Sequence, residues 1–469
     1  MNENKRKQEL LGKFLPQLEQ TTTVWYLWVG FLLIAIFFAI FALIMQIVKG
    51  HIITGMRDNV VWGVYIVNFI FFMGVSYAGA LVSGSMHLFK TPWRGPILRI
   101  AELTTIIALL IGPLFILLCI GRLDRLPFLF MYPRIQSPIT WDVIAISTDL
   151  FGCLIYLYLS FIRDFALLRD HADVKLPKWR LNIYRVLSIG YHDTPTQRKR
   201  IKNVTNIMSA MIIAIAIIVY SVLAWIFSVT LQPGWHSTIF GPYFVIAAVF
   251  SGAGVMIILM RVFRRVFHLE QYITKKHFVG VGLILMVLAM FFAYFTFSEY
   301  LTKWYGSKKL DDDLIQILMS RYFWAFIFSN YIGTLLPIII MGIPKFRSIN
   351  TITIAAVVAV IALWVNRYLI VIPTLETPYL PIQDTRPAWI MYSATWVEWA
   401  LTFGGVAMFC FLFTIAAKFM PIIPVAEVVD AELDQDNKYR DHVEETATIT
   451  ELDGFSAMTP EEAPQVNLN

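Results

Sequence analysis

Cysteine is scarce in this 469-residue chain: Cys119, Cys153 and Cys410 are all there is, and they stand far apart. That spacing provides no CxxC pair, no four-thiolate cluster and no obvious structural disulfide. Histidine is little better represented. His51 and His236 fall in loops on one side, His87, His171, His192, His268 and His277 near the other, and His442 close to the C-terminus. A membrane haem takes axial imidazoles from the interior of facing helices, and none of the eight histidines is central in an apolar stretch. The expectation is therefore a chain with no haem and no iron–sulfur cluster of its own. No GxxxxGK[ST] run occurs, so the loop that cradles nucleotide phosphates is missing and ATP is not the evident energy source. Charge is also sparse, at 15% of residues, and no nucleic-acid partner is expected.

What the chain has instead is apolar length. It is 58% hydrophobic with a mean hydropathy of +0.66, far from the balance of a soluble domain. A crossing of the hydrocarbon core takes about 20 consecutive, mostly apolar residues. Such stretches run over Trp25–Val48, Val61–Met86, Leu103–Ile120, Val143–Ile162, Val204–Leu231, Ile239–Met260, Val279–Phe297, Tyr322–Ile343, Ile352–Ile372 and Ala394–Met420. They predict an all-α polytopic membrane protein with ten transmembrane helices and the lipid bilayer as its solvent. Lys and Arg favour cytoplasmic loops. With both termini inside, 27 of the 38 fall on the cytoplasmic side, ten of them between Arg163 and Lys202.

Three segments follow: residues 1–24 as a basic cytoplasmic start, 25–426 as the membrane domain, and 427–469 as an acidic cytoplasmic tail. The start resembles a signal peptide, but the apolar run after it is too long and lacks a small-residue cleavage site, so it should remain as an anchor. The tail carries 12 acids against Lys438 and Arg440, whereas the rest of the chain has 36 bases against 20 acids. A body of +16 thus bears a tail of −10, the composition of a solvated, disordered segment.

The outer loops are unusual connectors. Gly121–Asp142, Gln232–Phe240 and Pro373–Trp396 are rich in aromatics, proline and paired charge. They suit a platform for a peripheral protein, or a lid over a ligand pocket, as readily as an interfacial aromatic belt. Acids inside spans are costly and are functional candidates by default. Asp149, Glu102, Glu299 and Glu398, with Arg367, Tyr156 and Tyr158, are candidates for a proton path; an interhelical hydrogen bond or an interfacial position explains each one separately. Asp164, Arg169 and Asp170 read as residues that stitch the inner loop together.

Several runs resemble a known family. Ser137-Pro138-Ile139-Thr140-Trp141-Asp142-Val143-Ile144-Ala145-Ile146-Ser147-Thr148 is similar to the start of the fourth helix in the NrfD-like family of polysulfide reductase membrane subunits. Ile162–Asp170, Pro233–Phe244 and Phe419–Val428 look like the larger NrfD-like subunit of alternative complex III. The likeness runs from about Gly55 to Val428. It implies two four-helix bundles, helices two to five and six to nine, related as a parallel repeat, plus two flanking helices. Trp62-Gly63-Val64-Tyr65 and Phe240-Gly241-Pro242-Tyr243 open the two halves, each followed by small residues that also permit close helix approach.

The resemblance further implies a bacterial plasma-membrane subunit that binds quinol, menaquinol in particular, near the outer surface. Electrons would pass to a docked iron–sulfur subunit, with multihaem cytochrome c subunits and a second NrfD-like membrane subunit as partners, and with proton translocation as a coupled function. By match to the motifs, Asp142 is the candidate base and His236 its companion. Arg122, Cys119, Tyr77 and Trp235 are candidates for the quinol pocket. Two positions depart from the family pattern, because Cys119 and Tyr77 stand where relatives typically have histidine. Three other readings remain open: a quinone-reducing anchor of a sulfur or nitrogen compound reductase, a structural or proton-conducting subunit, and a secondary transporter with helices broken near Gly112-Pro113 or Leu336-Pro337.

Overall fold

The computed structural model describes residues 21–89, 95–170, 176–230, 232–377 and 391–428, together with residues 12, 18 and 19. The basic start, the tail beyond residue 428, most of the third aromatic loop, Arg386, His171 and His442 lie outside the described residues.

Among the described residues ten helices are long and apolar enough to cross a membrane: α1 (Thr23–Lys49), α2 (Gly63–Leu88), α3 (Gly95–Cys119), α4 (Pro138–Asp170), α5 (Pro195–Ser228), α6 (Phe240–Val266), α7 (Lys275–Gly306), α8 (Phe323–Gly342), α9 (Ile349–Glu376) and α10 (Trp396–Phe419). The chain is an integral multi-pass membrane protein, and no strand occurs among the described residues. Hydroxyl side chains fix several helix starts by accepting the first orphan amides. Thr22 accepts from the Trp25 amide, and Thr194 accepts from Gln197 with Pro195 at the first position of α5. Capping boxes at Thr274–His277, Ser348–Thr351 and Thr395–Glu398 start α7, α9 and α10.

The helices close into two rings. α2 packs on α3 and α5, and α4 packs on the same two; α6 packs on α7 and α9, and α8 on those two. The rings meet through α2 against α6, flanked by α5 against α6 and α9 against α2. Exchanging the halves (α2 with α6, α5 with α9) maps the second flanking contact onto the first, as a twofold axis along the helices requires. α1 and α10 pair with each other and lean on α3 through α10. Small residues make the central contact possible. Gly252 sits on Ala78 and Gly74 on Ala248, pairs related by the same 174-residue offset.

Burial follows position. α2 is buried nearly all round, while α1 and α4 turn most of their apolar side chains outward, as helices do when lipid is the solvent. α3 continues through Pro113 and α8 through Pro337; the irregularity in α8 is a π-helical stretch at Phe328–Ile332 instead. Two short amphipathic helices, Lys178–Leu187 and Lys309–Ser320, occupy connections that the apolar pattern leaves blank. The loops after α4 and α6 define a basic face of the molecule; α2, α4, α6 and α8 start from the opposite face.

Candidate functional site

α4 turns a row of polar side chains into the first bundle, with Phe161, Phe165 and Leu168 buried beside its inner end. Asp142, Asp149, Cys153, Tyr156, Ser160 and Asp164 follow one another at intervals of three, four or seven residues, which puts them on one face of the helix. The outward face carries Ile144, Phe151, Leu154 and Ile155, all exposed. At 1.5 Å per residue the polar stripe spans about 33 Å, the thickness of a hydrocarbon core.

At its far end from the basic face, Asp142 lies in the second turn of α4, 9% exposed, and its Oδ1 has no hydrogen-bond partner among the described residues. Asp142, Asp149, Cys153 and Tyr220 all lie within electrostatic reach of the Tyr77 hydroxyl, which is itself buried and unpartnered. Tyr77 is held by an edge-on contact with Tyr220, ring centroids 5.1 Å apart, and Tyr220 donates to the Ile70 carbonyl at 3.4 Å. Two turns on from Asp142, Cys153 Sγ donates to Asp149 Oδ1 at 3.4 Å, leaving Oδ2 without a partner among the described residues. Ser83 then donates to the Tyr156 hydroxyl at 3.2 Å, and Ser160 donates to Glu102 Oε2 at 2.8 Å. The stripe ends on Asp164, in a buried ion pair with Arg99, whose guanidinium also covers the Phe161 ring at 3.7 Å.

The other expected site residues go elsewhere. Arg122 is exposed and forms a fork with Asp124, at 2.8 and 3.2 Å; this holds the Asp124 carboxyl below the usual carboxylate range. Cys119 donates to the Ile116 carbonyl, and its neighbour Leu118 accepts from Gln46, which in turn accepts from Tyr65. Trp235 is buried, donates to the Ile370 carbonyl at 2.8 Å and stacks on Trp62, pinning α9 to the start of α2. His236 faces Asp311 at 3.7 Å in a groove of about 330 Å³, lined also by Lys303, Lys308 and Thr302. No hydrogen bond or ion pair joins Asp142 to Arg122 or His236 among the described residues.

Of the proposed proton-path residues, Asp149, Glu102 and Tyr156 share the first bundle. Tyr158 donates to the Leu187 carbonyl on the basic side. Glu398 accepts from the Gly55 and Thr395 amides and from Tyr392, the geometry of a capping-box acid. Arg169 bonds Asp170, Ser188 and the Tyr191 carbonyl, as expected of a loop stitch, whereas Asp164 belongs to the stripe.

Glu299 and Arg367 belong to the second bundle. Lys303 bridges Glu299, at 2.5 Å, and the Gly234 carbonyl, at 2.9 Å, beside a cavity of about 20 Å³ that Tyr243 and Tyr300 also line. That volume suits a water rather than a ring. Tyr243 accepts from Asn366, which also reaches Asn330 in the π-helical stretch of α8. Arg367 is 1% exposed, donates to Asn366 and lies against the Tyr220 hydroxyl of the first bundle.

Sequence reasoning missed Tyr220, Cys153, Ser160, Arg99 and Asn330. The three- and four-residue spacing after Asp149 was the signal for Cys153 and Ser160. Nothing in the sequence marks the others, which become neighbours only by helix packing. Among the described residues no three His, Cys, Asp or Glu side chains group as metal ligands.

Residues 52–378 match the sequence pattern described as polysulphide reductase, NrfD. The chain is 28% identical to a putative dimethyl sulfoxide reductase membrane subunit of Halobacterium salinarum over 52% of its length, about half (53%) of that protein. It is 22% identical to a selenate reductase subunit of Mesobacillus selenatarsenatis over 82% of the chain and 91% of the relative. With the Hdr-like menaquinol oxidoreductase integral membrane subunit of Archaeoglobus fulgidus it shares 25% identity over 81% of the chain and 90% of the relative.

Proposed function

Starting from the fact that the chain belongs to the NrfD family of polysulphide reductase membrane subunits, we propose that it is the quinol-oxidising membrane subunit of a multi-subunit oxidoreductase, with menaquinol as its substrate. The relatives' names support the setting: two are subunits of reductases and one is a menaquinol oxidoreductase membrane subunit. The larger NrfD-like subunit of an alternative complex III is the finer reading that the motifs at Ile162–Asp170, Pro233–Phe244 and Phe419–Val428 favour. By the positive-inside bias the basic face is cytoplasmic, so Asp142 opens toward the outside.

The observation that carries the proposal is that Asp142, at the outer end of the first bundle, and Tyr77, deeper along α2 and within electrostatic reach of both Asp149 and Asp142, each hold a buried polar atom without a partner among the described residues. Buried polar atoms left without partners are costly, and a ligand with two ring hydroxyls fits the deficit. Oxidising a quinol releases two electrons and two protons. Asp142 Oδ1 accepts one proton from a ring hydroxyl, while the Tyr77 hydroxyl orients the second oxygen. Exposed Ile139 and Trp141 beside Asp142 provide the apolar approach an isoprenoid tail needs. The electrons leave to an iron–sulfur partner docked on this face, with cytochrome c subunits beyond. The stripe along α4 couples the reaction to proton movement across the membrane.

Asp142→Asn in the intact complex tests the site. It keeps the size of the side chain and removes the acceptor, so quinol oxidation should fall by about 10²-fold with assembly unchanged; His236→Ala should lower it less. A wild-type rate in Asp142→Asn would refute the site.

A further inference from the structure

The stripe does not end at open water on the basic face. Beyond α10 the chain turns back at Met420, and Pro421–Ala426 are buried, with Ile422, Ile423 and Val425 nearly inaccessible. This strap lies over the end of the first bundle. The Ala426 amide donates to Asp164 Oδ1 at 3.3 Å, Val428 packs on Gly95 at the start of α3, and the strap's root is held by Arg180 and by Tyr184, which donates to the Phe419 carbonyl at 2.6 Å. The strap brings one carboxylate with it. Glu427 is partly exposed, but its Oε2 is buried and unpartnered among the described residues, and it lies within electrostatic reach of both Glu102 and Asp164. Glu102 likewise has one oxygen, Oε1, buried and unpartnered, while its other oxygen accepts from Ser160. Two orphaned carboxylate oxygens within electrostatic reach of each other, one on a residue that reaches solvent and one inside the bundle, are what a proton relay between them needs.

We propose that Glu427 is the carboxylate through which the polar stripe exchanges protons with the cytoplasmic phase, carried into place by the C-terminal strap. A proton bound at Glu427 passes to Glu102, and the Glu427 carboxylate left behind takes the next from water, so each transfer balances. The other groups facing this mouth do not compete for the role. Asp164 is tied to Arg99 and to the Ala426 amide, and Arg163 lies within reach of Asp164 as a fixed positive neighbour. Asp164 and Arg99 hold the strap, and Glu427 carries the proton. The inference rests on the reading that quinol oxidation is coupled to proton movement.

The test uses the whole complex in sealed vesicles, with menaquinol as donor, and measures protons taken up from the cytoplasmic side per electron transferred. Glu427→Gln keeps the shape of the side chain and removes the proton carrier, so proton uptake from the cytoplasmic side per electron should be lost while electron transfer with the gradient collapsed stays near wild type. Glu427→Asp should recover at least half of the ratio. A wild-type ratio in Glu427→Gln overturns the proposal. So does an equal loss in Glu427→Gln and Glu427→Asp, which marks the residue as a structural part of the strap. If the wild-type complex itself takes up no protons from that side, the coupling reading fails first, and the wild-type measurement alone reveals it.

Discussion

A Cβ placed on Gly252 would stand 2.0 Å from the Cβ of Ala78. Carbon atoms in contact sit about 3.5–4.0 Å apart, so α2 and α6 approach as closely as they do because one partner has no side chain. The mirror pair, Gly74 on Ala248, repeats the arrangement about one turn along the helices. These four residues set the closest approach of α2 and α6 at the seam between the bundles.

Gly252→Ala should therefore destabilise the protein by about 1–3 kcal/mol, the usual cost of overpacking, despite alanine's better helix propensity. Thermal unfolding of the detergent-purified chain reads the effect. Adding Ala78→Gly should return most of the loss, since it vacates the position the new methyl needs; additive losses in the double variant would show that the seam is not what the substitution strains.

The Arg99–Asp164 pair is 0% and 2% exposed at its two side chains. Breaking a buried pair leaves an uncompensated charge, so Arg99→Met should cost about 3–5 kcal/mol, whereas Arg99→Met with Asp164→Leu should cost less than Arg99→Met alone. Because Asp164 also accepts from Ala426, limited proteolysis near residue 428 should accelerate in Asp164→Leu.

Tyr77→Phe removes a hydroxyl and keeps the ring on Tyr220. A hydrogen bond to a developing charge contributes about 1.5–3 kcal/mol, which predicts a fall in quinol oxidation of about 10- to 10²-fold with little change in stability. Steady-state turnover of the assembled complex measures it. An unchanged rate would leave Asp142 without its companion and move the ring-binding role to another residue.

Much of this protein is legible in its sequence, for a physical reason. The bilayer imposes a requirement on every crossing segment independently of its neighbours, so each of the ten apolar stretches declares itself locally. The two amphipathic helices in the loops are invisible to the same test, because they are too short and too polar to cross. Residue types were legible as well. Asp142, Asp149 and Glu102 stand out since acids in apolar stretches need a reason to be there.

Which of those acids belong together was decided by the tertiary structure. The outer ends of the third, fourth and sixth helices are near in topology, yet Arg122 turns to the exposed carboxylate of Asp124 and His236 to the buried carboxylate of Asp311. Glu398 and Asp149 look alike as acids inside apolar stretches, but one meets two amides and a tyrosine hydroxyl and the other, among the described residues, only a thiol. Glu427 sits where composition begins an acidic tail; the strap from Pro421 brings it to the end of the first bundle, next in sequence to the Ala426 amide that Asp164 accepts from. Sequence determined the solvent, the number of crossings and the list of costly side chains, because those follow from transfer energies summed along the chain. Packing decided which of them face one another, because the partner of a buried polar group lies on another helix, 58 residues away for Ser160 and Glu102 and 262 for Asp164 and Ala426, at a separation no local pattern encodes.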